Sequence, residues 1–448
     1  MSVITQMKTL NYPYLNKPLE IYTTDLGHTI ILAHKDGGLV NVSTWVKTGS
    51  IHEDDKINGI SHFLEHLMFK GTNAHKAGEF DKILESKGGI INAATWKDYT
   101  FYYVTIPKGI NDENLYLSLN LHADMMVDPV IPDYEIGPKF DPNNPQITEK
   151  RERYVVIEEI GMRNDQPWTK VYNSANANMY TDHPYKRDVI GTKEIIAQVS
   201  RDEIMDYYSS WYTPQNMTTI VVGDFDHEKV LNVILDEFKF KNVQQKEEED
   251  LPLIAKINAE KIIENTALVD TAFMILGFHG AKATENKETI LLEVVSMILG
   301  EGMSSRLYQN LIENNTKQIF NAVDSGQYQF KDGNVFMINA NFNPEFKDEA
   351  IKQIKENIVD MQNNLVTEEE LQKAKKRLQV KFAESAETVS EIGESIGYYM
   401  TVCGGLDGCA NYLNDLNSIT VEDVKNATIK YLDLNSYVLS ILMPEKAE

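Results

Sequence analysis

Two stretches 220 residues apart constrain this 448-residue chain more than any other feature. Ser200-Arg-Asp-Glu-Ile204 and Thr420-Val-Glu-Asp-Val424 each open a helix with a capping hydroxyl followed three positions later by a carboxylate. At the same offset, the strand-like run Thr218-Thr-Ile-Val-Val222 is matched in character by Val438-Leu-Ser-Ile-Leu442, with no gap needed. The pattern predicts an internal duplication. A chain of this length also exceeds one ordinary core. Between the two halves, Val243-Gln-Gln-Lys-Glu-Glu-Glu-Asp250 is polar, charged and poor in anything that packs, so it reads as a linker. The expected organisation is therefore two related domains of mixed strand and helix, at residues 1–242 and 257–448, joined by a linker at 243–256.

Within the first half, strand signals at Leu19 to Thr24, His28 to His34 and Leu39 to Lys47 are broken by Asp-Leu-Gly and Lys-Asp-Gly-Gly turns. Helices are expected from Ser61 to Gly71 and from Ala77 to Lys87, where Gly88-Gly89 supplies a stop. Strands follow at Ile90 to Thr95 and Tyr99 to Ile106, then a helix at Asp112 to Val127. Five prolines between Asp128 and Gln146 argue against helix or central strand there and predict a surface excursion. Helices resume at Thr148 to Arg163 and from Pro167 to Tyr180. Beyond the linker, strands are expected near Ala267 to Phe278 and Tyr328 to Asn341. An apolar helix is expected at Ile290 to Gly300, and a capping box at Thr367-Glu-Glu-Glu370.

Composition narrows the function. Hydrophobic content of 42% and charged content of 25% are those of a globular protein. A formal net charge of −24 and a pI near 4.9 argue against nucleic acid or anionic membranes as partners. No run of eighteen apolar residues is present, and Met1 to Leu10 has neither an apolar core nor an Arg-rich presequence pattern. The only cysteines, Cys403 and Cys409, have no metal or redox spacing and read as two thiols in a reducing compartment, so a cytoplasmic location is expected.

The chemistry sits in His62-Phe-Leu-Glu-His66. At 100° per residue, His62, Glu65 and His66 share one helix face. Neutral imidazoles four apart suit a zinc ion, and a carboxylate that does not bind the metal suits a general base. A catalytic zinc usually has a third protein ligand. The acidic run after the prolines offers Glu152, Glu158 and Glu159. Glu152 and Glu159, seven apart, share a face, and Glu158 is rotated by about 100° from Glu159. Periodicity leaves the choice among them open. The second-half counterpart of the pentad, near Leu291 to Val295, has no histidine.

The order H-x-x-E-H is the inverzincin signature. Gly59-Ile-Ser-His-Phe-Leu-Glu-His-Leu-Met-Phe-Lys-Gly-Thr72 resembles the core motif of the pitrilysin/insulinase family of zinc metallopeptidases. Glu152-Arg-Tyr-Val-Val-Ile-Glu-Glu159, Gly88-Gly-Ile-Ile-Asn-Ala-Ala-Thr95 and Gly302-Met-Ser-Ser-Arg-Leu307 resemble its other landmarks. The chain is most similar to shorter members resembling mitochondrial processing peptidase and its bacterial relatives. The resemblance implies an α+β fold, a clamshell of two related sandwich-type domains with the metal site in the N-terminal one, and one Zn2+ per chain held by His62, His66 and Glu159. It implies Glu65 as the base and Glu152 as a carboxylate steadying the site. It also implies that Asn92, Ala93, Ala94 and Thr95 form an edge strand that receives a peptide substrate by β-augmentation.

One landmark is missing. Many active relatives carry an Arg and a Tyr after the Ser-Ser-Arg-Leu segment, directed at the substrate carbonyl. Here Leu311 to Phe320 has no arginine, and the aromatic nearest the tyrosine position is Phe320. The expected function is a zinc-dependent endopeptidase, the metal-bearing subunit of a heterodimer whose homologous partner supplies that pair, with a homodimer as the other association. A non-catalytic structural or binding subunit is the alternative.

Overall fold

The computed structural model describes residues 2–143, 151–241, 244 and 250–445. They cluster into two compact units. In the first, seven strands form one sheet: β1 (Ile4–Leu10), β2 (Leu19–Thr24), β3 (Thr29–His34), β4 (Leu39–Val46), β5 (Ile90–Thr95), β6 (Thr100–Pro107) and β7 (Met217–Gly223). Their order is β1-β2-β3-β7-β4-β6-β5. In the second, β8 (Lys261–Ala267), β9 (Ala272–His279), β10 (Phe320–Tyr328), β11 (Val335–Phe342) and β12 (Val438–Pro444) are ordered β10-β11-β9-β12-β8.

These orders contain the same motif. In the first sheet β3 lies parallel to β7, and β4, β6 and β5 then follow antiparallel. In the second, β8 lies parallel to β12, and β9, β11 and β10 follow antiparallel. The two capped helices behind the duplication, Arg201–Trp211 and Val421–Tyr431, both carry full capping boxes, closed by Glu203 and Asp423. The helix Asn286–Leu299 joins β9 to β10, as the pentad helix Ile60–Met68 lies between β4 and β5.

The units are not the contiguous pieces the sequence suggested. The first comprises Met1–Gly161, Asp188–Asp250 and Ala383–Ala410; the second holds Met162–Arg187, Leu251–Phe382 and Asn411–Glu448. Most of the expected linker run, residues 243 and 245–249, lies outside the described residues. Each sheet is covered by a helix from the other half of the sequence. The helix Val389–Thr401 packs on β4 and β7, and Pro167–Met179 packs on β9 and β12. Glycines make the first contact close. A Cβ at Gly393 would lie 2.5 Å from Asn41 Oδ1, and one at Gly397 would lie 2.0 Å from the Trp45 indole. An amphipathic helix announces that it has a buried face but not which sheet receives it, so the exchange was hidden in the sequence.

Three further expectations need correction. The strand β1 went unseen because its five central residues are exposed and carry no apolar alternation. The strand signal near Tyr328 missed β10, which begins at Phe320. The proline excursion holds a single helical turn, Asp133–Ile136, between Pro132, where no N–H is required, and Gly137 at φ 64°. Ile131 and Ile136 are buried in the first core, so the excursion is not confined to the surface.

The first core lies between one face of the sheet and the helices. Val40, Val42 and Val46 of β4 contribute to it, while Asn41, Ser43 and Trp45 face Val389–Thr401. A polar chain crosses this core. His28 Nε2 meets Thr219 Oγ1 at 2.9 Å, Thr219 meets Thr44 Oγ1 at 3.0 Å, and Thr44 meets His122 Nε2 at 2.9 Å. Burial pushes both imidazoles down to about 3. In the unfolded chain they titrate near 6.5, so between these values the unfolded state binds up to two more protons. Their contribution is therefore complete above pH 6.5 and is lost as pH falls towards 3, at up to about 2.7 kcal/mol per pH unit. Replacing His122 by Gln is expected to reduce the loss of unfolding free energy between pH 7 and pH 5. Urea titrations followed by tryptophan fluorescence would show it, and an unchanged pH slope would contradict it.

Candidate metal centre

The pentad helix Ile60–Met68 buries Ile60, Phe63, Leu64, Leu67 and Met68, which leaves His62 and His66 half-buried on its other side. The partner helix, Glu152–Asn164, buries Val156, Ile157 and Ile160. Arg153 joins the two. Its guanidinium is buried, donates to the carbonyls of Ala197 (2.8 Å) and Val199, and lies 5.9 Å from the Phe63 ring centre. A buried cation held through both terminal nitrogens and set against an aromatic ring ties the position of one helix to the other.

Across that separation three donors converge. Glu159 Oε2 lies 3.8 Å from His62 Nε2 and 3.5 Å from His66 Nε2, and all three donors fall within 4.8 Å of one another. Donors about 2.0–2.1 Å from a tetrahedral zinc are roughly 3.3–3.4 Å apart, so this spacing closes on such an ion with small side-chain rotations. Two imidazoles and one carboxylate are also zinc's donor chemistry. Among the described residues this is the one group of three or more such side chains that could hold a metal ion. Glu158 is exposed on the neighbouring side of its helix. Geometry thus brings Glu159, and not Glu158, beside the two histidines, a distinction that helical periodicity left open.

Glu152 takes a different place. Its Oε1 lies 2.8 Å from His66 Nδ1 and its Oε2 lies 2.5 Å from Lys70 Nζ. It therefore orients the His66 ring so that Nε2 faces Glu159. Burial would raise the Glu152 carboxyl, but His66 and Lys70 outweigh burial and hold it low. At His66 burial likewise acts downward, and Glu152 and Glu159 overcome it to raise the imidazole to about 9. A divalent cation held here would take the place of the His66 proton opposite the two carboxylates.

Glu65, buried on the same helix, accepts a hydrogen bond of 2.5 Å from Thr95 Oγ1 at the end of β5. Burial pushes its carboxyl up, Thr95 and His66 pull it back, and the charge of Glu159 adds to the rise. β5 is the terminal strand of its sheet, with one edge unpaired by any strand among the described residues. Thr95 and Ala93 point to the helix side, whereas Asn92 and Ala94 are exposed on the other face.

Two family profiles match the chain. One, described as insulinase (peptidase family M16), covers residues 29–193, and the other, described as the peptidase M16 inactive domain, covers residues 198–378. The zinc protease PqqE of Helicobacter pylori is 30% identical over 401 residues, 88% of this chain and 85% of that protein. The chain belongs to the insulinase (peptidase M16) family. An uncharacterized zinc protease of Bacillus subtilis, YmxG, is 28% identical over 424 residues, spanning 94% of this chain and 98% of its own length. The crystal structure of a protease from Helicobacter pylori superposes with a TM-score of 0.85 at 28% identity, covering 96% of this chain and all of that one. With relatives named as zinc proteases and a His–His–Glu group at hand, the M16 chain's cofactor is zinc.

Lys70, Arg153 and Thr95's bond to Glu65 were not anticipated. Lys70 sits one turn beyond His66 and follows the same helical face, a signal that was readable; Arg153 required knowledge of the distant loop at 197–199. No disulfide joins Cys403 and Cys409, both buried. No described helix is long and apolar enough to cross a membrane. Replacement of Glu159 by Gln is expected to remove most bound zinc from the purified protein, while Glu158→Gln keeps one ion per chain. Elemental analysis after gel filtration decides between them, and zinc loss in Glu158→Gln would contradict the geometry.

Proposed function

We propose that this chain is a zinc-dependent endopeptidase, with His62, His66 and Glu159 as the metal ligands and Glu65 as the general base. The observation that carries the reading is the direct bond between Glu65 and the last residue of a free-edged strand. It ties a proton acceptor beside a metal-binding group to the backbone that an extended peptide would pair with. Zinc in this place supplies a Lewis acid that acidifies water and polarises a carbonyl. Glu65 takes a proton from the attacking water at its carboxylate and returns it to the leaving amine. Thr95 holds that carboxylate in one orientation, and Glu152 holds the His66 ring.

The strand register supports a particular set of backbone groups as the substrate contacts. Trp96 N–H donates to the Tyr99 carbonyl at the hairpin, and β5 and β6 pair from there without a register shift. Alternation then turns the N–H and C=O of Thr95, Ala93 and Ile91 outward, to the free edge. An incoming strand would bind these groups and tolerate varied side chains. Asn92 Oδ1 accepts from Ala93 N–H at 2.9 Å, so the substrate strand displaces that self-made cap. Asn92 through Thr95 thus act mainly through backbone.

The carbonyl-facing side of the reaction has fewer groups in this chain. Leu311 to Phe320 contains no arginine, and Phe320 is a buried residue of β10 with no hydroxyl. Arg306, from the Ser-Ser-Arg-Leu landmark, is committed to Glu370 at 2.7 and 2.9 Å and to Asp360 at 2.7 Å. Removal of one oxyanion donor costs on the order of 10²–10³ in rate. These observations support a heterodimer in which a homologous subunit brings the Arg–Tyr pair. Cleavage of a quenched peptide by the chain alone, and with a co-encoded homologue, tests this. The expected result is weak turnover alone, an increase of about 10²-fold or more with the partner, and none for Glu65→Gln, which still binds zinc. Full activity alone would refute the heterodimer, and active Glu65→Gln would remove Glu65 as the base. Zinc binding without turnover in every combination would favour the non-catalytic subunit.

A further inference from the structure

The pentad helix begins without a cap of its own. Its first flanking residue, Gly59, is left-handed at φ 95° and has no side chain to accept from the exposed N–H groups of the first turn. A distant carboxylate closes that end instead. Glu53 is buried, and its Oε2 accepts from Gly59 N–H at 2.7 Å and from Asn58 Nδ2 at 2.8 Å. Its Oε1 accepts from Ser61 N–H at 2.9 Å and from Ser61 Oγ at 2.5 Å. Burial outweighs these bonds and leaves the Glu53 carboxyl raised, but each of the four donors favours its charged form, as does its place at a helix N-terminus.

The same clasp ties this helix end to a second segment. Asn58 Nδ2 also donates to the Asp188 carbonyl at 2.9 Å. A Cβ at Gly59 would come within 2.5 Å of the Ile190 carbonyl, and one at Gly191 within 2.2 Å of the Asn58 carbonyl. The backbones at 58–59 and 190–191 therefore touch, and the helix end cannot shift along its axis or turn without breaking the clasp. His62 follows Ser61 directly, and Glu65 and His66 complete the next turn. An axial slip of one residue is 1.5 Å, and the accompanying rotation of 100° would carry both imidazoles away from Glu159.

We propose that Glu53 is a positioning residue for the metal centre: its carboxylate sets the axial position and rotation at which His62 and His66 meet Glu159. It acts on the ligands through the backbone of Gly59 and Ser61. The proposal rests on the zinc-site reading but not on peptide cleavage, and its test reads the metal directly. Glu53→Gln keeps one acceptor and presents an amide N–H₂ to donors; Glu53→Ala removes all four bonds. Zinc affinity by chelator competition is expected to fall about 10-fold in Glu53→Gln and up to about 100-fold in Glu53→Ala. The visible bands of the Co2+-loaded variants should shift as well. Gly397→Ala, whose added Cβ meets Trp45 on the face of β4 turned away from the pentad helix, is the control for a general loss of stability and should bind zinc as the wild type does. Where Glu53→Ala fails to fold, Glu53→Gln decides. Wild-type affinity and Co2+ spectrum in folded Glu53→Gln, or an equal affinity loss in Gly397→Ala at matched melting temperature, would overturn the proposal.

Discussion

The meeting of Glu159 Oε2 with two imidazoles at 3.5 and 3.8 Å is the constraint on which the first unit depends. These donors sit on two helices more than ninety residues apart in sequence, and a metal tolerates errors of only a few tenths of an ångström. The surrounding structure removes freedom from each partner in turn. Phe63, Leu64, Leu67 and Met68 anchor the pentad helix in the core, and Glu53 holds its N-terminus. Arg153 locks the glutamate helix to Phe63 and to the carbonyls at 197 and 199. Glu152 and Lys70 then orient one imidazole. Local polar bonds of modest individual worth together specify one geometry.

Much of this was readable in the residues. The face shared by His62, Glu65 and His66 follows from the helical repeat, and the strand 90–95 from the Gly-Gly stop before it, while its place at a sheet edge came from the family resemblance. The capping boxes at Ser200 and Thr420 marked the duplication, which the matching sheet orders express as topology. What escaped was long-range. The choice of Glu159 depends on where a second helix is docked, and that docking depends on Arg153 reaching a loop some forty-five residues on. The placement of Val389–Thr401 on the first sheet depends on two glycines that look unremarkable in sequence. Only against Asn41 and Trp45 do they acquire meaning. A strand as exposed as β1 carries no periodic signal at all.

Duplication also explains why the chemistry is concentrated in one unit. Both sheets share the order parallel pair, then three antiparallel strands, and both place a helix between the third and last of these. In the first unit that helix bears two histidines; in the second, Asn286–Leu299 bears none and buries Leu292, Val294, Val295 and Leu299 instead. The same scaffold position thus serves metal binding in one copy and packing in the other. Function is carried by side chains placed on the fold and not by the fold itself.

The central claim is that the donor cluster holds zinc and that this zinc drives peptide hydrolysis. The most direct measurement combines zinc content with cleavage of an internally quenched peptide, by the chain together with its homologous partner, before chelation, after chelation and after zinc is restored. The expected result is one zinc per chain, with cleavage lost on chelation and recovered on adding zinc back. Cleavage that persists in metal-free protein would contradict the account.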